Sequence, residues 1–477
     1  MTNRSHRPIV AIIGGGFTGA MVAANLARNM VGQAVSIFVF EPRGHLGAGL
    51  AYDTADPAYR VNVPAARMSL IPEAPDDFVH WLSRKGEPAD DPDALAADGH
   101  LYPRRSVFGR YVGDFIAPYL ESRHVHHCRE RVVTVERTGS QWRIRTDGGT
   151  EVIADIAVVA TTHPAPCAPG SVARALAGHP RFIADSTVPG ALSVIGDNDR
   201  VLVIGNGLTA ADVIASLRRR GHAGAITALS RRGLRSRGHA TAAQEPSGDF
   251  TSDPSRTALS LLKRVRLAIG EAGEGGLSWH AVFDALRTQG GCIWRALPIA
   301  ERRRLVRHLR PYWDAHRFRV APQIDAVITQ GLERGDIRVL GGSLMAIAQV
   351  GPTITAQVRQ RHTGTRQDLA FDACIVTTGP AHKGILASQP WLADLAISGH
   401  LHADAVGLGL ACDDRSRAMD RRGEGDDTLF IAGPLARGTF GELMGLPQVN
   451  DHAIFVAEEV AQRLARLSRF RASAKSA

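Results

Sequence analysis

The chain has 477 residues, 44% of them hydrophobic, and 56 basic against 47 acidic side chains give a formal charge of +9. That is enough to bury substantial cores in roughly three average domains, while no run of ~18 apolar residues predicts a spanning helix and no nucleic-acid-binding motif accompanies the positive charge. The five cysteines, Cys128, Cys167, Cys292, Cys374 and Cys412, include no C-x-x-C pair, which argues against a disulfide framework and predicts reduced thiols in a cytoplasm.

In chain order, "PIVAIIGGGFTGAMVAANLARNM" reads as a buried strand, a glycine turn and a helix, and "VSIFVFEPRG" as a second strand ending at Glu41. The glycines cut the N-terminal apolar run before it resembles a signal peptide. The next ~60 residues, rich in Pro, Asp and Ala, predict loops and short helices such as "DDFVHWL". His124, His126 and His127 follow, unpaired with acids or Cys, and read as a solvated loop rather than a metal cluster. "RVVTVERTGSQWRIRTDGGTEVIADIAVVATTH" predicts short strands with turns at "TGS" and "DGG". After the Pro-rich joint "HPAPCAPG", a second strand–turn–helix unit opens at Val201. Residues from Gly238 to Asp325 predict helices and loops, with the Arg-rich "ERRRLVRHLR" as a solvated helix face. Strands return in "ITAQVRQRHTGTRQDLAFDACIVTTGP", and "TLFIAGP" leads into a C-terminal helix. The halves echo each other: each has a glycine-turn unit, then short strands, then a similar phrase, "DIAVVATTHP" or "DACIVTTGP".

The first turn is Gly14-Gly15-Gly16-Phe17-Thr18-Gly19. Gly14 permits a tight bend, Gly16 lets a diphosphate approach the backbone, and Gly19 lets helix and strand pack closely. Helix-start amides and the helix dipole would hold the diphosphate. Glu41, 22 residues past Gly19, is placed to accept hydrogen bonds from adenosine ribose hydroxyls. At this level the nucleotide is NAD or FAD. The second turn, Gly205-x-Gly207-x-x-Ala210 with Leu208 and Thr209 at the helix start, has no such acid. Ser230, Arg231 and Arg232 stand there instead. Guanidinium groups bind a 2′-phosphate that a carboxylate would repel, so this site is expected to prefer NADPH over NADH. The duplication then has a chemical reason: one nucleotide stays as a prosthetic group and the other comes and goes as reductant.

The stretch after Glu41, "EPRGHLGAGLAYDTADPAYRVNVPAARMSLIP", resembles the flavoprotein family typified by FAD-dependent urate hydroxylases and aspartate N-monooxygenases. So do "LYPRRSVFGRYV", "VLVIGNGLTAADV", "SRRGLRSRGH" and "WDAHRFRVAP". The resemblance implies FAD in the first site. Glu41 and Pro42 would flank its adenosine, and Gly49, Asn62, Val63 and Met68 would lie closer to the ribityl chain and flavin ring. Val133, Ala160, Thr161, Gly433 and Pro447 join the FAD side, and Thr378 and Gly379 the NADPH side. "VATTH" would cross between the domains, and "GPLARGTFGELMGLPQ" would bring the last helix towards the flavin. Two departures stand out. Gly433-Pro434 replaces the frequent Gly-Asp at the end of the last strand, and the Phe-x-Gly-x-x-x-His fingerprint of Baeyer–Villiger-type monooxygenases is missing.

The fold expected is α/β: two nested Rossmann-like dinucleotide-binding domains of three-layer ββα/βαβ type, with a helical insertion. Residues 1–165 and 381–477 would form the FAD domain, 190–240 and 325–380 the NADPH domain, and 241–324 the insertion, as a lid or substrate pocket. No catalytic triad, acid pair or metal set is required, because the flavin carries the difficult chemistry. His239, His316 and Asp314 are candidate acid–base groups, but "HRFR" beside "WD" also reads as an ion-pair cluster; the same Arg317 and Arg319 could bind a substrate carboxylate. The expected activity is NADPH-dependent monooxygenation of a small polar, anionic molecule with oxygen, without nucleic acid or membrane partners. An NADPH:acceptor oxidoreductase and a non-catalytic flavin-binding protein are the alternatives.

Overall fold

The computed structural model describes residues 7–32, 34–379 and 382–476. Two sheets, each built on one glycine-turn unit, form its frame. The first has six strands in the order Arg417–Met419, Gly425–Ile431, Ile156–Val159, Ile9–Ile13, Ser36–Phe40 and Val125–Cys128. All neighbours pair in parallel except the outermost pair, Arg417–Met419 with Gly425–Ile431. The central strands IVAII and IAVV are apolar throughout because both sheet faces are covered. Helices Phe17–Asn29 and Gln448–Ser476 cover one face: Met21, Ala24, Val456 and Val460 share a core with Val10 and Ile12. The antiparallel sheet of Val132–Thr138, Gln141–Thr146 and Glu151–Ala154 covers the other, where Trp142 and Ile144 pack with Ala11, Ile13 and Val159. Its hairpins turn at Gly139 (φ 60°) and Gly149 (φ 89°), inside the "TGS" and "DGG" signals. This is the three-layer arrangement expected.

The histidine reading needs correction. Val125–Cys128 is the edge strand of the first sheet, not a loop. His126 stacks on Phe38 at 4.9 Å, and His127 Nε2 bonds the Glu41 carbonyl at 2.9 Å. A four-residue edge strand shows too little alternation to stand out in a sequence, and pairing with Ser36–Phe40 decides it.

The second sheet has seven strands in the order Arg366–Phe371, Thr353–Gln360, Ile337–Val350, Ile226–Ser230, Val201–Ile204, Ala373–Val376 and Phe182–Ile183. Its centre is parallel, and an antiparallel meander forms one end. Phe182–Ile183 enters it upstream of residue 190. Helix Pro322–Arg334 connects the parallel strands Ile226–Ser230 and Ile337–Val350 and packs Ile324 and Ile328 into one core with Val213 and Leu217 of helix Leu208–Arg219.

Between Ser230 and Pro322 lie helices Ala258–Glu274, Trp279–Thr288, Gly290–Ala296, Ile299–His308 and Arg310–Arg317. They have their own core of Phe250, Leu261, Val282, Leu286, Ile293 and Leu297. A capping box starts the first: the Thr257 side chain accepts from the Ser260 amide at 3.0 Å. Helix Ile299–His308 buries no residue, and its Arg303, Arg304 and Arg307 form a solvated face, while Arg302 turns in to the Leu297 carbonyl at 2.8 Å. Among the described residues no helix is long and apolar enough to cross a membrane.

Candidate functional site

The two glycine turns superpose as chemistry. Gly14 (φ 102°) sends its amide to the Phe40 carbonyl at 3.0 Å, and Gly205 (φ 121°) sends its amide to Leu229 at 2.9 Å. A Cβ on Gly14 would meet the Ala160 carbonyl oxygen at 2.6 Å, and one on Gly205 the Thr377 carbonyl oxygen at 2.6 Å. In both, the strand carrying the echoed phrase presses against the turn, so only glycine fits. The first intrahelical bonds are Ala20 to Gly16 and Ala211 to Gly207, at 3.0 and 3.1 Å. The amides of Phe17, Thr18 and Gly19, and of Leu208, Thr209 and Ala210, therefore have no intrahelical acceptor. Neither Gly16 nor Gly207 supplies a side-chain cap, which leaves both helix starts open to an anion.

In the first turn, Glu41 is 4% exposed. Its carboxylate accepts from the Gly15 amide at 3.1 Å and from the Arg43 amide and guanidinium at 3.2 and 3.1 Å. That occupies three of about four lone-pair sites and fixes the group beside the glycine turn, while Pro42 is exposed. Gly49 lies against Gly16, where a Cβ would meet the Gly16 Cα at 2.9 Å. Gly433 (φ 68°) faces Thr18, with room for no side chain: a Cβ would meet the Thr18 hydroxyl at 2.5 Å. The Gly433 amide donates to His452 Nδ1 at 3.1 Å, and His452 Nε2 then donates to the Ser416 hydroxyl at 2.9 Å. Burial lowers the His452 pKa to about 3, so it stays neutral. Thr161 Oγ1 is buried without a partner beside the turn. Gly14 to Gly19, Glu41, Gly49, Ala160, Thr161 and Gly433 thus converge on one cradle. Met68 is 2% exposed in the core, Val133 is exposed at a register shift of its hairpin, and Pro447 is exposed at the last helix's start; these three stand apart from the turn's contacts.

The second turn carries its own unfilled polar atoms. Asn206 Nδ2, Ser230 Oγ and Arg232 Nε are buried without hydrogen-bond partners. Arg231 is exposed, and the Arg232 guanidinium lies over the Tyr312 ring at 5.7 Å. The Thr378 hydroxyl donates to the Cys167 carbonyl at 3.3 Å, and Gly379 (φ 80°) follows it.

Where the first domain meets the insertion, a cavity of about 70 Å³ opens. Asn62, Val63, Arg67, Asp98 and Tyr102 line one side, and His239, His280, Asp284, Arg287, Arg317 and Arg319 the other. The segment bearing Asn62 is ordered by a buried bidentate pair, Arg60 to Asp91 at 2.8 and 2.9 Å, and by Arg60 to the Tyr102 carbonyl at 2.9 Å. His239 Nε2 donates to the Asn62 carbonyl at 3.2 Å, and burial then Arg319 lower its pKa to about 4. His316 does not reach the cavity lining: it stacks on Phe283 at 4.9 Å and bonds the Tyr312 carbonyl at 2.7 Å. Asp314 pairs with Arg310 at 3.2 Å. Arg319 pairs with Asp284 at 2.8 Å and Arg317 with Glu442 at 2.7 Å. The "WDAHRFR" residues are therefore an ion-pair cluster, two of whose arginines also wall the cavity. Arg287 differs. It donates to the Leu446 carbonyl and the Gln448 side chain, both neutral, and burial lowers its pKa to about 9. Asp284 and Arg287 carry no sequence signal, because distant segments bring them to the cavity, whereas Tyr102 lies in "LYPRRSVFGRYV".

Residues 11–164 match the model of the FAD-NAD(P)-binding family, so this segment is an FAD/NAD(P)-binding domain, in agreement with the resemblance read from the sequence. No curated protein matches the chain. Among solved structures, ornithine hydroxylase from Pseudomonas aeruginosa is 16% identical with a TM-score of 0.62, over 96% of this chain and 100% of that one. L-lysine 6-monooxygenase from Pseudomonas syringae is 18% identical with a TM-score of 0.62, over 97% and 99%. Thioredoxin reductase from Lactococcus lactis is 16% identical with a TM-score of 0.51, over 96% and 99%. At such identities the likeness is one of fold, and it is shared by hydroxylases and a reductase alike. The fold is that of flavoenzymes with two dinucleotide domains.

Proposed function

We propose that this protein is an FAD-dependent NADPH oxidoreductase, a monooxygenase that hydroxylates a small polar, anionic molecule. The observation that carries the reading is the cavity between the first domain and the insertion, with Arg67, Arg287, Arg317 and Arg319 against Asp98 and Asp284 in its walls. Its excess of guanidinium groups favours an anion.

The residues fit the two nucleotides. The amides of Phe17, Thr18 and Gly19 would hold the FAD diphosphate, with Glu41 on the adenosine side and Ala160, Thr161 and Gly433 on the flavin side. Asn206, Ser230 and Arg232 offer unused polar atoms to NADPH, Arg231 is exposed beside them, and two arginines suit its 2′-phosphate. FAD, when bound, would accept reducing equivalents from NADPH and pass them to oxygen or another acceptor. The chain's own part is to orient and to exclude water. His239 is neutral and holds the Asn62 backbone, and the insertion walls one side of the cavity. Oxygen insertion must be kept from water, a part that such a wall suits. The hydroxylases of shared fold are named for the amino acids ornithine and lysine, which supports a small polar substrate here.

The test is spectroscopic, then kinetic. The pure protein should be yellow, bleach anaerobically with NADPH faster than with NADH, and recover its colour with oxygen. Bleaching reversed only by a quinone or dye would replace the monooxygenase by an NADPH:acceptor oxidoreductase. No bleaching would leave a non-catalytic flavin-binding protein.

A further inference from the structure

Arg437 is 4% exposed, and its guanidinium makes no hydrogen bond or ion pair among the described residues; Nε and Nη1 are both fully enclosed. A buried cation left without an acceptor is costly unless an anion completes it. The neighbouring charges do not. Arg310 is taken by Asp314 at 3.2 Å, and Arg317 by Glu442 at 2.7 Å. His163, beside both Arg437 and Arg310, is kept neutral by burial, its pKa lowered to about 4. One positive charge is left over.

Its place in the fold says which anion. Glu41 ends the strand on one side of Ile9–Ile13, while Ile156–Val159 and Gly425–Ile431 lie on the other. A dinucleotide with its diphosphate at the first glycine turn and its adenosine at Glu41 would extend its flavin half towards residues 160–163 and 433–437. Arg437 stands there on a fixed backbone: the Trp294 indole donates to the Gly438 carbonyl at 2.9 Å, and the Asp404 carboxylate, beneath Gly438, accepts the Val406 and Leu408 amides at 2.7 Å.

We infer that Arg437 supplies the positive charge facing the pyrimidine end of the bound flavin, where reduced FAD carries its negative charge. The inference rests on FAD occupying the first site, but on neither its oxidant nor its substrate. Charge near that end of the ring is how a protein tunes flavin electronics.

The experiment reads the flavin alone. The FAD-loaded protein is reduced with dithionite, without NADPH, and its absorbance is followed from pH 5 to 9. In the wild type the reduced flavin should stay anionic to lower pH than free reduced FAD in the same buffers. Arg437→Gln should make its protonation at least tenfold more favourable, about one pH unit. Arg437→Lys should restore most of the shift. A wild-type flavin that titrates like free reduced FAD overturns the inference even if neither variant folds. So does Arg437→Gln titrating with the wild type, the result expected if Arg437 served a substrate carboxylate. A protein that takes up no FAD on reconstitution overturns the cofactor reading, and the inference with it.

Discussion

Arg105 of helix Arg105–Glu121 and Asp212 of helix Leu208–Arg219 form an ion pair at 2.8 Å that ties the two nucleotide-binding units together. Asp212 is 5% exposed. Burial pushes its carboxyl up to about 6; Arg105 opposes this and Asp56 adds to it. Because the folded value lies above that of the unfolded chain, the native state binds more protons between the two. This contribution favours the fold below pH ~4 and is lost as pH rises through about 6. Two units correspond to roughly 3 kcal/mol. Asp212→Asn cannot titrate, so its Tm relative to wild type should be higher at pH 7.5 than at pH 4.5. The same offset at both pH values in thermal melts would show that Asp212 has no such linkage.

Much of this frame is legible in sequence because its signals are local. Gly14 and Gly205 announce themselves by the strand before and the helix after, and Gly139 and Gly149 by the short strands around them. The two glycine cradles repeat one contact, Gly14 to Ala160 and Gly205 to Thr377, which is what the echoed phrases encode. The cavity was legible only in part: Arg317, Arg319 and the insertion are marked in the sequence, but Asn62, Tyr102, Asp284 and Arg287 span 225 residues and meet only through tertiary packing. Val125–Cys128 was misread for a related reason: an edge strand takes its identity from its neighbour. His452, whose ring holds the Gly433 amide, sits unmarked inside a regular helix pattern.

The arginine pair gives a kinetic prediction. Arg231 is exposed and Arg232 has a buried Nε without an acceptor, as expected if both await a phosphate. Replacing both with Ala should raise the KM for NADPH at least ~10-fold, from ~1.5–3 kcal/mol per charged hydrogen bond. NADH kinetics should hardly change. Steady-state assays with each cofactor check this, and equal losses for both would remove the 2′-phosphate assignment.

Gly19 tests the first cradle through sterics. A Cβ there would overlap the Gly14 carbonyl oxygen, with the Ile12 side chain at 3.3 Å. Backbone on one side and a packed core residue on the other leave nothing to yield cheaply. Gly19→Ala should therefore cost about 1–3 kcal/mol and yield protein with little bound FAD, read as the ratio of visible to ultraviolet absorbance. Gly113 is the control. It lies in helix Arg105–Glu121 with nothing within 4 Å of an added Cβ, so Gly113→Ala should keep full flavin and gain up to ~1 kcal/mol.

Trp294 docks the insertion on the segment after Gly433. Its indole N–H donates to the Gly438 carbonyl at 2.9 Å, and Gly441 approaches the ring so closely that a Cβ would meet it at 2.8 Å. Trp294 is also 7% exposed and stacked under Arg302 at 5.4 Å. Trp294→Ala removes a buried aromatic, a loss of about 3–5 kcal/mol. The insertion's separate core of Phe250, Leu261, Val282 and Leu286 should let its helices persist while their docking loosens. If the insertion shields reduced flavin from water, the variant should still be reduced by NADPH at near wild-type rates. It should then release more hydrogen peroxide per NADPH oxidised. Peroxide assayed beside NADPH consumption measures the ratio, with far-UV circular dichroism as the check on folding. An unchanged ratio in a folded, flavin-loaded variant would mean that the insertion binds substrate without guarding the flavin.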